Sequence, residues 1–156
     1  MLYCTFIAGD FCLKKGVFLS AFSFVDEVTE LNGNQSITAL YRLKADAEFL
    51  KDHFENFPVM PGVLLLETLK QTAAKLLGSP GSTENSPVRL VEAQGVKFGQ
   101  FVKPGSVLQT TARLVKQDQK RYFFEGRIDL VDSPGAGKVL SAAVTLEALE
   151  QRSTRL

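Results

Sequence analysis

One stretch of this chain needs to be surrounded, and that need constrains the fold more than any other feature. Between Pro61 and Gly78 runs Val63-Leu64-Leu65-Leu66-Glu67-Thr68-Leu69-Lys70-Gln71, followed by Ala73 to Leu77. Pro61 suits a first helical turn, where its missing N–H would go unpaired in any case, and Gly78 suits a C-terminal cap. Leu65, Leu66, Leu69, Ala73, Leu76 and Leu77 share one wide face at helical spacing. The first turn, Val63 to Leu66, is apolar on every side. The pattern predicts a helix whose N-terminal half is enclosed all round, while its later half meets water along Thr68, Thr72 and Lys75.

The rest of the chain reads largely as strand. Val17 to Val28 alternates, with Phe18, Phe22 and Phe24 at even spacing, and Asn32-Gly33 is a tight-turn dipeptide. Ser36 to Leu43 resumes the strand pattern, so residues 17–43 read as a long hairpin. Ala45 to Asn56 is mixed, charged and loop-like, and Gly78 to Pro87 is a Gly/Ser/Pro-rich loop. Val88–Phe98, Val107–Val115, Tyr122–Val131 and Val139–Leu149 follow as strands, with turns at Lys103-Pro104-Gly105-Ser106 and Ser133-Pro134-Gly135-Ala136-Gly137. The order is two strands, one helix, four strands. Such an α+β chain covers its helix by curling an antiparallel sheet around it. We expect a single domain over residues 1–156, with its core at about 18–148, an N-terminal extension at 1–15 and a tail at 150–156.

Composition narrows the chemistry. Eighteen basic against 17 acidic residues leave a formal charge of +1, which argues against nucleic acid as a partner. Cys4, Cys12 and His53 are too few for a structural zinc site, which takes about four Cys/His ligands, so no metal is expected. Two cysteines make no disulfide framework in a chain this long, which fits a reducing compartment. The uncharged stretches Gly16–Val25 and Phe57–Leu66 fall short of the roughly 20 apolar residues of a membrane span. Met1 to Gly9 is apolar-leaning, but Asp10 interrupts it and no small-residue cleavage site follows, so the reading is cytoplasmic. No G-x-G-x-x-G follows a strand, no G-x-S-x-G elbow is present, and Gly137-Lys138 lacks the rest of a phosphate loop.

Three residues around the helix start remain. His53, between Lys51-Asp52 and Phe54-Glu55, reads by itself as a solvated loop histidine. Glu67 has Lys70 and Gln71 three and four positions on, an ordinary helix-surface pairing. Gly62 is a turn glycine or, functionally, the first of the unpaired N–H groups at a helix start, which stabilise negative charge on an oxygen. A base, an acid and an oxyanion site together are the parts for proton abstraction next to a carbonyl.

The segment Asp52-His53-Phe54-Glu55-Asn56-Phe57-Pro58-Val59-Met60-Pro61-Gly62-Val63-Leu64-Leu65-Leu66-Glu67-Thr68-Leu69-Lys70-Gln71 closely resembles the FabZ-type 3-hydroxyacyl-[acyl-carrier-protein] dehydratases of fatty-acid synthesis. Phe22 to Val28, Glu48-Phe49-Leu50, Lys97-Phe98 and Val102-Lys103-Pro104-Gly105 are weaker echoes, for a coverage of about 18–148. The resemblance implies a hotdog fold, a curled antiparallel sheet around one long helix, and a homodimer or a trimer of such dimers. Each site would take its His from one protomer and its Glu from the other. His53 would remove the C2 proton of a (3R)-hydroxyacyl thioester, and Glu67 would protonate or orient the leaving 3-hydroxyl, giving the trans-2-enoyl thioester. Gly62 would bind the thioester oxygen, with Val63, Phe57 and Met60 beside it as substrate-binding residues.

No cofactor is implied, because the substrate arrives on the phosphopantetheine arm of an acyl carrier protein. A carboxyl group acts as an acid where burial raises its pKa, and the apolar first turn offers such a setting to Glu67. The chain departs from the family at Glu55, often Pro, at Lys70, often a small residue, and at Gly99-Gln100, where many members carry basic residues for the acidic carrier. Lys103, Lys116, Lys120 and Arg121 are the substitutes at hand. Two rivals are a hotdog acyl-thioesterase and a non-catalytic acyl- or carrier-binding partner subunit. The branch that also isomerises the double bond carries Asp at the helix position, so Glu67 favours dehydration alone.

Overall fold

The structure, a computed structural model, describes residues 23–78, 87–131 and 137–149 in full, together with the backbone of three short strands before them. Those are β1 (Phe6–Ile7), β2 (Asp10–Leu13) and β3 (Val17–Phe18), which form a small antiparallel sheet in that order. The expected tail at 150–156, most of the 78–87 loop and most of the 133–137 turn lie outside the described residues, as does much of the expected extension at 1–15.

The main sheet has six antiparallel strands: β4 (Glu27–Asn32), β5 (Ser36–Arg42), β6 (Val88–Phe98), β7 (Val107–Asp118), β8 (Arg121–Leu130) and β9 (Lys138–Ala148). Their order across the sheet is β4-β5-β7-β8-β9-β6, with β4 and β6 at the edges. One helix, α1 (Gly62–Leu77), lies against β5 to β9. This is the curled sheet around a central helix that the apolar run demands, the hotdog fold.

Sequence explains how close the helix comes. On β7, Leu108, Thr110 and Ala112 alternate inward, and on β8 Tyr122, Phe124 and Ile128 do the same. Gly126 sits on that inward row opposite Ala112. A Cβ built there would stand 2.2 Å from Leu69 Cδ1, so only a glycine lets the helix seat so deeply. Leu65, Leu69, Ala73, Leu76 and Leu77 are all buried, each large one contributing about 1.5–3 kcal/mol on leaving water.

Two expectations are corrected. The first strand does not run Val17–Val28. Among the described residues, Val17–Phe18 and Glu27–Val28 are strand, residues 23–26 are not, and the main sheet begins at Glu27. Phe24 is buried, but outside any strand: its N–H goes to the side chain of Gln71 on α1 (2.8 Å), and its ring meets Tyr41 edge-on at 5.4 Å. At Phe24 the apolar pattern marked burial, whereas the partner of its backbone N–H is a helix side chain instead of a neighbouring strand.

The second correction reverses the helix. Thr68 and Thr72, expected in water, are fully buried, while Val63, in the supposedly enclosed first turn, is 73% exposed. Each hydroxyl donates to the carbonyl four residues back, Thr68 to Leu64 (2.8 Å) and Thr72 to Thr68 (2.9 Å). A hydroxyl satisfied on its own helix is cheap to bury, so Thr behaves as a core residue here.

Candidate active site

The loop that carries His53 is held at both ends. A short 3-10 turn, Glu48–Leu50, precedes it and buries Leu50. Beyond it, Val59 donates its N–H to the His53 carbonyl (2.8 Å), and Met60 donates to Val102 (2.9 Å), tying the loop to the β6–β7 connection. Phe54 and Phe57 exchange backbone hydrogen bonds of 3.2 and 3.1 Å around a turn tipped by Glu55 and Asn56. The His53–Phe54 peptide is cis, and the Phe54 ring stacks on the imidazole with centroids 4.2 Å apart.

This frame sets the histidine's tautomer. His53 Nδ1 lies 3.0 Å from the Val59 carbonyl oxygen. A carbonyl only accepts, so Nδ1 carries the proton in that hydrogen bond, and in the neutral ring Nε2 is the bare lone pair. His53 is therefore half-buried and held in one orientation with Nε2 able to accept a proton, unlike a solvated loop residue.

The helix start follows within a few residues. Pro61 offers no side-chain cap, and its carbonyl takes the N–H groups of Leu64 and Leu65. Among the described residues, no acceptor is found for the N–H groups of Gly62 and Val63, as expected at a helix N-terminus. Unpaired donors at the positive end of a helix dipole suit an oxygen that gains negative charge. Phe98 lies across Gly62, and Phe57 meets Phe101 edge-on at 5.7 Å with Lys103 Nζ 5.9 Å above its ring. Met60 is buried beneath them, whereas Phe54, Phe57, Val63, Phe98 and Phe101 are all exposed.

Glu67 sits on the next turn of α1. Its Oε1 accepts from Lys70 Nζ (3.2 Å) and from Gln71 Nε2 (3.0 Å). Gln71 is buried, and because its own Oε1 takes the Phe24 N–H, its amide nitrogen is left facing Glu67. The spacing had already paired Gln71 with Glu67, but as a solvated surface pair; its burial and its bond to the Phe24 N–H are what the sequence did not show. The buried setting expected for Glu67 is not what one chain supplies, since its side chain is 34% exposed and ion-paired to Lys70.

His53, Phe57, Met60, Gly62 and Val63 thus gather at one end of α1. Glu67 stands one turn further along α1, and among the described residues no hydrogen bond or ion pair links it to His53. Among the described residues, no group of three or more His, Cys, Asp or Glu could hold a metal ion, and no helix is long and apolar enough to cross a membrane.

Comparison with known proteins gives the family. Residues 29–131 match the ApeI-like dehydratase family. The chain belongs to that family. Among its relatives, a 3-hydroxyacyl-[acyl-carrier-protein] dehydratase FabZ of Pediococcus pentosaceus is 34% identical over 122 residues, covering 78% of this chain and 79% of the relative. A FabZ of Polynucleobacter asymbioticus is 42% identical over 93 residues, covering 60% of this chain and 62% of the relative, just under two thirds of its length. Among solved structures, the dehydratase heterocomplex ApeI:P from Xenorhabdus doucetiae has a TM-score of 0.66 at 16% identity, covering 85% of this chain and 86% of that one. A hypothetical thioesterase with coenzyme A from Streptococcus pneumoniae has a TM-score of 0.59 at 14% identity, covering 81% and 88%. At such low identity these two structures show the fold of this ApeI-like dehydratase family member, not its chemistry.

Proposed function

We propose that this chain dehydrates a (3R)-hydroxyacyl thioester, delivered on the phosphopantetheine arm of an acyl carrier protein, to the trans-2-enoyl thioester during acyl-chain synthesis in the cytoplasm. The observation that carries the reading is the His53 Nδ1–Val59 carbonyl bond, which leaves Nε2 as a base on the loop that leads directly into the open N–H groups of Gly62 and Val63. Nε2 takes the C2 proton, and the charge that builds on the thioester oxygen is met by those N–H groups. The C2–H electron pair becomes the double bond as the C3–O bond breaks. Glu67 gives the leaving hydroxyl its proton, so water departs. His53 ends as imidazolium and Glu67 as carboxylate, and transfer of one proton through solvent resets both.

The site is completed by a second hotdog chain, most simply a second copy in a homodimer. Two features support this: no hydrogen bond or ion pair joins His53 to Glu67 among the described residues, and the apolar side chains around the helix start are exposed. Family membership and the FabZ relatives support the substrate class.

Purified protein incubated with a 3-hydroxyacyl-carrier-protein thioester should develop enoyl absorbance. His53→Ala and Glu67→Gln should each lower kcat by about 10²–10⁴, the usual worth of a general acid or base. Release of free thiol in place of an enoyl product would make the protein a thioesterase, and no turnover at any chain length would leave a binding role.

A further inference from the structure

The segment Lys97-Phe98-Gly99-Gln100 departs from the family's basic residues, and the structure gives that departure a physical reason. A Cβ at Gly99 would stand 2.0 Å from the Lys138 carbonyl oxygen, so β6 presses backbone to backbone on β9 there. Gly99 donates to Val139 (2.8 Å) and Gln100 donates to Lys138 (3.2 Å), while the Gln100 amide lies where a Cβ of Gly137 would be, 2.5 Å away. Phe98, paired with Leu140 across the ladder, therefore projects from a clamped backbone.

Its ring lands on the helix start. A Cβ at Gly62 would meet Phe98 Cε1 at 2.9 Å and Cζ at 3.0 Å, so the missing side chain of Gly62 is the space the ring uses. Packing of a core side chain does not explain this placement, because Phe98 is 57% exposed. An oxygen bound to the Gly62 N–H lies about 2.9 Å from that nitrogen, and the acyl C2 is two bonds from that oxygen. The ring edge at Gly62 therefore borders the space just beyond that N–H, where C2 of a bound thioester has to lie.

We infer that Phe98 is a specificity-determining residue of this site: its ring walls the acyl C2 position and admits unbranched 3-hydroxyacyl thioesters while rejecting those with a substituent on C2. This rests on the dehydratase reading given above.

The test compares an unbranched 3-hydroxyacyl thioester with its 2-methyl counterpart, which retains one C2 hydrogen and so can still eliminate. Wild type, Phe98→Leu and Phe98→Ala are assayed on both, with folding checked by thermal melts and assembly by sedimentation. The ratio of kcat/KM for branched over unbranched substrate should rise stepwise as the side chain shrinks, reaching about tenfold in Phe98→Ala, a change typical of one methyl group in an apolar pocket. Phe98→Leu carries the comparison if the alanine variant loses assembly. A ratio within twofold of wild type in the assembled variants overturns the inference while leaving the dehydratase reading intact. Failure of the wild type on the unbranched substrate overturns that reading, and this inference with it.

Discussion

The two ends of α1 follow opposite rules. Along its inner stripe, polar Thr68 and Thr72 are buried with Leu65, Leu69 and Ala73, every hydroxyl satisfied within the helix. Around its first turn, apolar Val63, Phe98, Phe57 and Phe101 face outward. Polarity alone misplaces both sets. The stripe is a core that this chain closes by itself. The collar is apolar surface of the kind that marks a contact with something else, and the proposed function assigns it to a second chain and the substrate. On that proposal the helix divides into a stripe that holds the fold and a collar that serves the site.

The sharpest way to break that division is to cut into the stripe. Leu69 has no exposed surface and its methyls fill the hollow over Gly126, so Leu69→Ala leaves a cavity that neither element can close. We expect a loss of about 3 kcal/mol in urea unfolding. The fraction that stays folded should keep the wild-type KM, because Leu69 reaches no part of the site. A large rise in KM in fully folded protein would show that core and site are not separable.

The collar predicts the converse. Val63→Asp puts a charge on a residue that is already mostly exposed in one chain, so the chain's own packing should change by no more than about 0.5 kcal/mol. If the collar meets a second copy, that charge is buried on assembly, and dimerisation should weaken at least tenfold, about 1.4 kcal/mol, with dehydration lost in parallel. Sedimentation velocity reads the first effect and enoyl absorbance the second. A Val63→Asp protein that still assembles at micromolar concentration would remove the shared-site arrangement.

What was legible in the sequence follows the same division. Pro61 and Gly78 bracketed the helix correctly, because both residues act through the backbone they stand in. The four later strands and the Asn32-Gly33 turn were legible from period-two patterning, and Gly33 does hold a positive φ of 54°. The His53–Glu67 pair emerged only through the family resemblance, since spacing alone makes both look solvated. The burial of Thr68 and Thr72 was hidden for another reason. It depends on which carbonyl each hydroxyl reaches, and hydrophobic periodicity does not record that. The Phe24–Gln71–Glu67 chain of hydrogen bonds spans 47 positions at its first link, and no local pattern announces it.

The smallest effect probes the rim where the two regions meet. Tyr41 packs edge-on against Phe24, whose N–H anchors Gln71 and so indirectly Glu67. Burial, and then the nearby Asp26 carboxylate, push its phenol from 10.0 up to about 12. The folded chain therefore keeps this proton through a window in which the unfolded chain has lost it. Stability from this group is fully present below about pH 10 and falls as pH rises toward 12, because the native state then binds more protons than the unfolded one. Tyr41→Phe retains the ring and removes the titration. Its stability at neutral pH should match wild type closely, and its decline between pH 10 and 12 should be shallower, as read by denaturant midpoints at stepped pH. Equal slopes would mean that the phenol is solvated in the native state, and that the core around Phe24 is more open than its packing against Tyr41 and Phe49 indicates.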